Sequence, residues 1–522
     1  MRLINRLRQL RTRVDWWIVG ILFLALVGRV FYFNYYNAPA LNQDESALLL
    51  NARLIAESGV DEWGKSWPLN FKSFGDFKLP GYIYLTSLLG SLIGFSNWTV
   101  RLPSFIGGII NIYLVYVLGK KMFGLAAARW AAAFLLFSPW GWHYSSIGFE
   151  ANLGLMFFLV TLSLTFNKIF SWKRSIFASF FLLLSGLTYN SPLLLSPLII
   201  LVSLQGNITK SKRQWLKIIP LLLAIVLVVL ISLPATMQKT GISIFSDPTL
   251  KAVYPEYRLQ FGRPLLRSIL GNQWVFYARE ILKNTYNSFS YDFLVLRGGQ
   301  NPWHTLPGVG HLHFWLPIIV AAGLGIIIRK TLNSLSNIKN WLILGLFFGS
   351  LVPAVITVDA PHATRSLFFF VMLTLISGAT IANIRASHAS KFIWWMWSLL
   401  FIVLLCLGGW QWGRNLIGIW ESPQVDSHWY LGLENRLEDV PDDNFPVYIL
   451  DPDGILYARV ANFFSLSSEE VQATVVRSDP DTAGLQRVEK VGRYHFVFRK
   501  PMNQTGWYLF PRNDQEWSMI KL

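Results

Sequence analysis

The chain has 522 residues, of which 53% are hydrophobic and 14% charged, with 23 Trp, 38 Phe and a mean hydropathy of +0.40. A soluble chain carries about a quarter charged residues, so this composition excludes an ordinary water-soluble protein and makes lipid the main solvent. The formal charge of +17 does not point to nucleic acid, because Lys and Arg form short clusters between apolar runs, a spacing that fits anchoring at an anionic membrane face. A single cysteine, Cys406, excludes a disulfide framework and a cysteine-based metal centre.

The basic N-terminus runs into the apolar stretch Trp16 to Phe33, laid out like a signal peptide but of membrane-spanning length. No small-residue cleavage site follows, so it is predicted to remain as a first span. Taking about 17 to 20 apolar residues per crossing, further spans are expected near 101–118, 124–140, 150–167, 175–190, 191–205, 218–235, 314–329, 341–357, 366–383 and 392–410. The fold expected is a polytopic α-helical membrane protein with about eleven transmembrane helices. Gly81 to Gly94 is shorter and polar at both ends, and reads as a helix lying in the interface.

With the N-terminus in the cytoplasm, the loops holding Lys120-Lys121, Lys173/Arg174, Lys210 to Lys217, Arg329-Lys330 and Arg385/Lys391 all fall inside, as the positive-inside rule requires. Of the 29 acidic residues only Asp15 then lies on the inner side. Counting Gly81 to Gly94 as a span would move most of the basic loops outside. The expected location is therefore the plasma membrane, with outer regions at 34–100, 236–313 and from 411 to the end. Residues 264–290 read as an amphipathic helix at the outer interface. The tail alternates short strands, such as Phe445 to Leu450 and Tyr494 to Phe498, with a helical stretch near Ser467 to Thr474, which predicts a small outer α/β domain over 411–522 beside a membrane domain over 1–410.

Asp44 and Glu45 stand at a predicted helix start where Asn42 or Asp44 can cap. The plain reading is a capped helix with two solvated carboxylates. The functional one is that a partly desolvated carboxylate at the membrane surface takes a proton from a hydroxyl. Glu150 opens an apolar helix on the same side, a costly position that marks either a functional group or a helix-dipole partner. His143, seven residues earlier, is a candidate to orient Glu150 or to ligate a metal. Lys78, Arg365 and Arg29 each admit snorkelling, but together, facing carboxylates, they match a phosphate-binding cluster.

The string Asp44-Glu45, Lys78-Leu-Pro-Gly-Tyr82, Arg101-Leu-Pro-Ser104 and Leu118-Gly-Lys-Lys-Met-Phe-Gly124 resembles the N-terminal half of the membrane-embedded GT-C glycosyltransferases, of the protein O-mannosyltransferase and aminoarabinose-transferase type (glycosyltransferase family 39-like). Ile147-Gly-Phe-Glu150, Gly186-Leu-Thr-Tyr189, Asn301-Pro-Trp-His304, Pro307-Gly-Val-Gly310 and Pro361-His-Ala-Thr-Arg365 are similar to bacterial members of that group, so the resemblance runs to about residue 410. Two positions depart from it: Lys78-Leu79-Pro80 stands where relatives carry Lys-Pro-Pro or His-Pro-Pro, and Glu150 where they often carry Asp.

The resemblance implies a sugar donor attached to a polyprenyl phosphate and an acceptor hydroxyl on protein, lipid or glycan. In that scheme Asp44 is the general base, and Glu45 and Glu150 bind hydroxyls or tune Asp44. Lys78, Arg365 and Arg29 take the donor phosphate, and Tyr82, His362 and Tyr189 bind substrate. A divalent metal, if used, is expected at Glu150 with His143, His304, His311 or His313. The competing readings are a secondary transporter, which calls for matched halves and midplane charges that this sequence does not display, and a membrane scaffold presenting the outer domain as a binding module.

Overall fold

A computed structural model describes residues 15–35, 40–74, 76–167, 171–205, 212–238, 242–301, 303–305, 308–387, 391–418, 429–480, 486–499, 504–513 and 516–522. The first helix, α1 (Trp16–Tyr35), turns Phe23, Leu24 and Phe31 outward and Ile18, Ala25 and Arg29 inward. After α2 (Gln43–Ser58), a hairpin of β1 (Phe71–Ser73) and β2 (Asp76–Lys78) leads into α3 (Pro80–Ile93). This third helix has Pro at its start and a positive-φ Gly94 after its end. At 14 residues it is too short to cross about 30 Å of hydrocarbon. It buries Tyr82, Ile83 and Thr86 against its neighbours and exposes Leu88 and Leu92.

The bundle continues through α4 (Asn97–Met122), α5 (Leu125–Phe137), α6 (Pro139–Ser146), α7 (Glu150–Thr165), α8 (Trp172–Thr188), α9 (Ser191–Leu194), α10 (Ser196–Leu204) and α11 (Ile219–Gln238). Three helices follow, α12 (Pro248–Leu259), α13 (Pro264–Ile269) and α14 (Gln273–Ser288), then α15 (Leu316–Leu332), α16 (Ile338–Gly349), α17 (Val352–Val355), α18 (Leu367–Ser387) and α19 (Lys391–Gly418). The amphipathic helix expected over 264–290 is thus two helices, parted at Gly271.

The centre is α18, with 83% of its apolar window buried, whereas α1, α19 and the run 215–233 bury 33%, 22% and 28% and present their sides to lipid. Small residues let the central helices touch: a Cβ on Gly378 would come within 2.5 Å of the Ala127 carbonyl, and one on Gly119 within 2.9 Å of the Ala128 Cα. Aromatic side chains fill the remaining space, Phe158 against Phe368 and Phe347 against Phe369.

Among the described residues six helical stretches are long and apolar enough to cross a membrane, or seven if α6 and α7, bent by 113°, form one broken span. The other predicted spans are helical but shorter: the run 191–205 divides into α9 and α10, each with a proline in its first turn, whereas 341–357 breaks before Pro353 yet counts among the six as the stretch Ile338–Val355.

The C-terminal region is β-rich. It comprises α20 (Leu433–Leu437), β3 (Val447–Leu450), α21 (Tyr457–Phe463), α22 (Ser468–Thr474), β4 (Val476–Arg477), β5 (Val488–Val491), β6 (Tyr494–Val497), β7 (Trp507–Asn513) and β8 (Glu516–Lys521). The sheet order is β4-β5-β6-β3-β7-β8, with β3 parallel to both neighbours and the other pairs antiparallel. Its helices pack on α2: Leu50 and Leu54 enter the C-terminal core, while Leu48, Leu49, Ala52 and Ile55 of the same helix face the bundle core. The helix that starts at the Asp44-Glu45 pair is therefore held between two cores.

Candidate active site

The start of α2 is set by a reciprocal capping box. Asn42 Oδ1 accepts from the Glu45 N–H at 2.8 Å, and Glu45 Oε2 accepts from the Asn42 N–H at 3.1 Å. Arg101 adds a two-point grip on Glu45, Nε to Oε1 at 2.6 Å and Nη2 to Oε2 at 3.0 Å, and the Gly148 N–H donates to Oε1 at 2.7 Å. Gly148 is required at that approach, because a Cβ would lie 3.0 Å from the Val100 carbonyl and 3.2 Å from Glu45 Cγ. Glu45 is 0% exposed and Arg101 2%. The carboxylate expected from sequence to serve the reaction is instead a tie between α2, α4 and the bend before α7.

Asp44, one position earlier, faces the other way. It is 44% exposed and accepts from Lys78 Nζ at 2.5 Å, while Lys78 itself is 6% exposed. The hairpin delivers that lysine, pairing Lys78 with Phe71 at its closing end just before Pro80 begins α3. The 113° bend between α6 and α7 brings Glu150 to the same place. From the far side come Tyr189, at the end of α8, and the segment before α18: Tyr189 Oη donates to Thr364 Oγ1 at 2.8 Å, and Thr364 Oγ1 lies 3.0 Å from His362 Nδ1. Arg365 Nη1 donates to Thr357 Oγ1 at 2.9 Å and to Asp359 Oδ1, and His362 Nε2 lies 3.5 Å from Asp359 Oδ2.

These groups enclose a cavity of about 170 Å³, lined by Asp44, Glu150, Lys78, Arg365, Tyr189 and His362, with His304 and Thr364 beside them. Two carboxyl side chains thus share one cavity with a lysine and an arginine. The His304 ring centroid is 4.8 Å from that of His362. Burial drags the His304 imidazolium down to about 4, leaving a neutral hydrogen-bonding ring at neutral pH.

Other residues expected at the site lie elsewhere. Arg29 donates to Ser145 Oγ at 2.8 Å and to the Gly141 carbonyl at 3.2 Å, and lies over the Trp142 ring at 4.9 Å, so it braces α1 against α6. Tyr82 Oη donates to the Val100 carbonyl at 2.6 Å and sits 2.9 Å from Ser104 Oγ, buried behind Glu45. Of the metal candidates, Glu150 and His304 share the cavity, while the other three histidines lie apart from it. His143 Nε2 is 2.9 Å from the Trp303 carbonyl, His313 Nε2 is 2.8 Å from the Phe137 carbonyl, and His311 stacks on Phe370. Among the described residues no group of three or more His, Cys, Asp or Glu is arranged to hold an ion.

Three contributors have no role assigned from sequence. Arg101 is visible there as a cation opening an apolar helix, the same signal that singled out Glu150, and Asp359 as an acid six residues before Arg365. Thr364, between two substrate-site candidates, carries no such signal.

The family model for dolichyl-phosphate-mannose-protein mannosyltransferases matches residues 78–237, from Lys78 past Glu150 and Tyr189. No curated protein matches the chain in sequence. Among solved structures, the oligosaccharyltransferase AglB from Archaeoglobus fulgidus, in complex with an inhibitory peptide and a dolichol-phosphate, is 12% identical with a TM-score of 0.51, over 86% of this chain and 63% of its own. ArnT from Cupriavidus metallidurans, bound to undecaprenyl phosphate, is 12% identical with a TM-score of 0.49, over 87% and 85%. The chain thus spans a little under two thirds of the oligosaccharyltransferase it matches. Its fold is similar to that of AglB, and residues 78–237 match the family model for dolichyl-phosphate-mannose-protein mannosyltransferases.

Proposed function

We propose that this protein is an inverting glycosyltransferase that moves a sugar from a polyprenyl-phosphate donor to an acceptor hydroxyl on the extracytoplasmic side of the membrane. The observation that carries the reading is one cavity in which Asp44 and Glu150 face Lys78 and Arg365. The family model named for dolichyl-phosphate-mannose and the dolichol-phosphate in the AglB complex support a lipid-linked donor.

In this reading the acceptor O–H gives its proton to Asp44 as its oxygen bonds to the anomeric carbon. The carbon–oxygen bond to the lipid phosphate breaks, and its electron pair leaves on the phosphate. Attack opposite the leaving group inverts the anomeric centre. Lys78 and Arg365 stabilise the charge gathering on the phosphate, electrostatic work that a desolvated site strengthens. Lys78 grips Asp44 before the donor binds. Glu150, Tyr189 and His362 hydrogen-bond sugar or acceptor hydroxyls. No step is routed through a metal.

The test is direct. Purified protein is incubated with polyprenyl-phosphate sugars and with protein, lipid and glycan acceptors, and the product anomer is assigned by NMR. Transfer with inversion supports the reading. Retention at the anomeric carbon, or failure to transfer from any polyprenyl-phosphate sugar while nucleotide sugars serve as donors, contradicts it.

A further inference from the structure

The bundle carries a second cleft at the end opposite Asp44. Helix α4 begins near the Arg101–Glu45 pair and ends at Met122, and α18 begins just after Arg365 and passes Asn383; both far ends line this cleft, with the end of α15 and the start of α16. Its volume is about 460 Å³. Gly323 sets its floor by letting α15 lie directly on α18, since a Cβ there would come within 2.1 Å of Thr380 Oγ1.

The charged groups of the lining are cationic, Lys330 and Lys339, joined by Asn337, Asn340 and Asn383 and by no carboxylate. Lys330 Nζ donates to Asn383 Oδ1 at 3.0 Å, so a neutral amide steadies it over the opening. Two helices also start here. Leu125 and Ala126 open the 13-residue α5 behind Gly124, and Lys339 and Asn340 stand in the first turn of the 12-residue α16 behind Asn337; neither start has a side-chain cap. First-turn amides carry the positive end of the helix dipole and favour an anion; at α16 the Ile338 and Asn340 amides already donate to the Ser336 and Asn337 carbonyls, so the donors on offer are those of α5. A Cβ on Gly124 would meet nothing within 4 Å, so the approach to the α5 amides is open. Ile326, Ile327 and Ile343 add an apolar wall.

Two lysines, amide donors, one open helix start and an apolar wall describe a receptor for a phosphate ester with a hydrocarbon tail. We propose that this cleft binds the phosphodiester headgroup of an anionic phospholipid, drawn from the leaflet on the side of the basic loops. The chemistry is independent of the sugar site, and basic pockets between membrane helices recognise anionic headgroups in this way.

The experiment uses the full chain in phosphatidylcholine nanodiscs with or without phosphatidylglycerol, and reads retained phosphatidylglycerol by native mass spectrometry after release into detergent. Wild type is compared with K330Q/K339Q and with K173Q/R174Q, which removes two charges of the same face away from the cleft. At about fivefold per lysine, K330Q/K339Q retains the lipid about twenty-five-fold more weakly, while K173Q/R174Q retains it as wild type does. Size-exclusion profiles and thermal unfolding check that each variant is folded. Equal loss in the two variants would reduce the effect to general surface charge and overturn the proposal. Displacement of the lipid by millimolar inorganic phosphate would assign the cleft to free phosphate and overturn the lipid assignment.

Discussion

Asp44 and Glu45 are sequence neighbours, yet consecutive helical residues diverge by about 100° around the axis, and that rotation separates their roles. Glu45 turns into the protein, where Arg101, Gly148 and the Asn42 N–H satisfy it. Breaking a buried ion pair by removing one partner strands the other charge and costs about 3–5 kcal/mol. Glu45→Gln is therefore expected to lower the thermal unfolding temperature sharply in detergent, and an unchanged unfolding temperature would refute the tie. Asp44 is partly exposed, and Asn in its place keeps an oxygen to accept from buried Lys78, so the loss of its charge should register in chemistry more than in stability. His304 gives the site a pH signature. Its folded value of about 4 lies below the ordinary histidine value of 6.5, so the stabilisation from keeping it neutral is complete above about 6.5 and is lost as pH falls through about 4. Unfolding measured across that window should show the loss in wild type and a flatter profile in His304→Gln.

At the scale of elements, α2 is the component to watch, because the C-terminal unit grips it along its length. Arg53 donates to the Leu466 carbonyl at 2.7 Å, Asn462 donates to the Ser46 carbonyl at 2.8 Å, and the Ser468 N–H donates to Glu57 at 3.1 Å. Just past the helix, Glu62 accepts from Tyr457 Oη at 2.6 Å and from Asn51 at 2.9 Å, and burial holds its carboxyl above the usual carboxylate range. This clamp makes the C-terminal sheet a fixture for the helix bearing Asp44. Tyr457→Phe leaves buried Glu62 short of a donor, at an expected cost of about 1–3 kcal/mol. Its transfer rate should fall with the loosening of α2, as read by slower turnover and faster hydrogen exchange over residues 43–58. Faster exchange without slower turnover would separate the clamp from the chemistry.

Across the whole molecule, apolar length and strand alternation made the helices and the tail strands legible, because burial in lipid or in a core imposes both patterns. The breaks were less so: 191–205 reads as one apolar run, but Pro192 and Pro197 each start a new helix, and no apolar count anticipates the 113° turn ahead of Glu150. At the site, Asp44, Lys78, Glu150 and Arg365 stood out as charged groups beside apolar runs, Tyr189 and His362 came from the family resemblance, and the structure gathers all six. Glu45 and Arg29 carry the same signal, and Tyr82 the same resemblance, yet all three point away, since sequence gives position along a helix more readily than the partners waiting around it. Sidedness is testable in a Cys406→Ser background, which removes the single native thiol. An impermeant maleimide added to intact cells should label Asp442→Cys and spare Ser334→Cys, and the reverse pattern would invert the topology.

The most direct measurement is the single-turnover rate of sugar transfer from pre-bound polyprenyl-phosphate donor, wild type against Asp44→Asn. A positioned base contributes about 10² to 10⁴ in rate, so the variant should transfer slower by that factor while binding donor and unfolding at the same temperature as wild type. Equal transfer rates in the two proteins would contradict the assignment of Asp44 as the base.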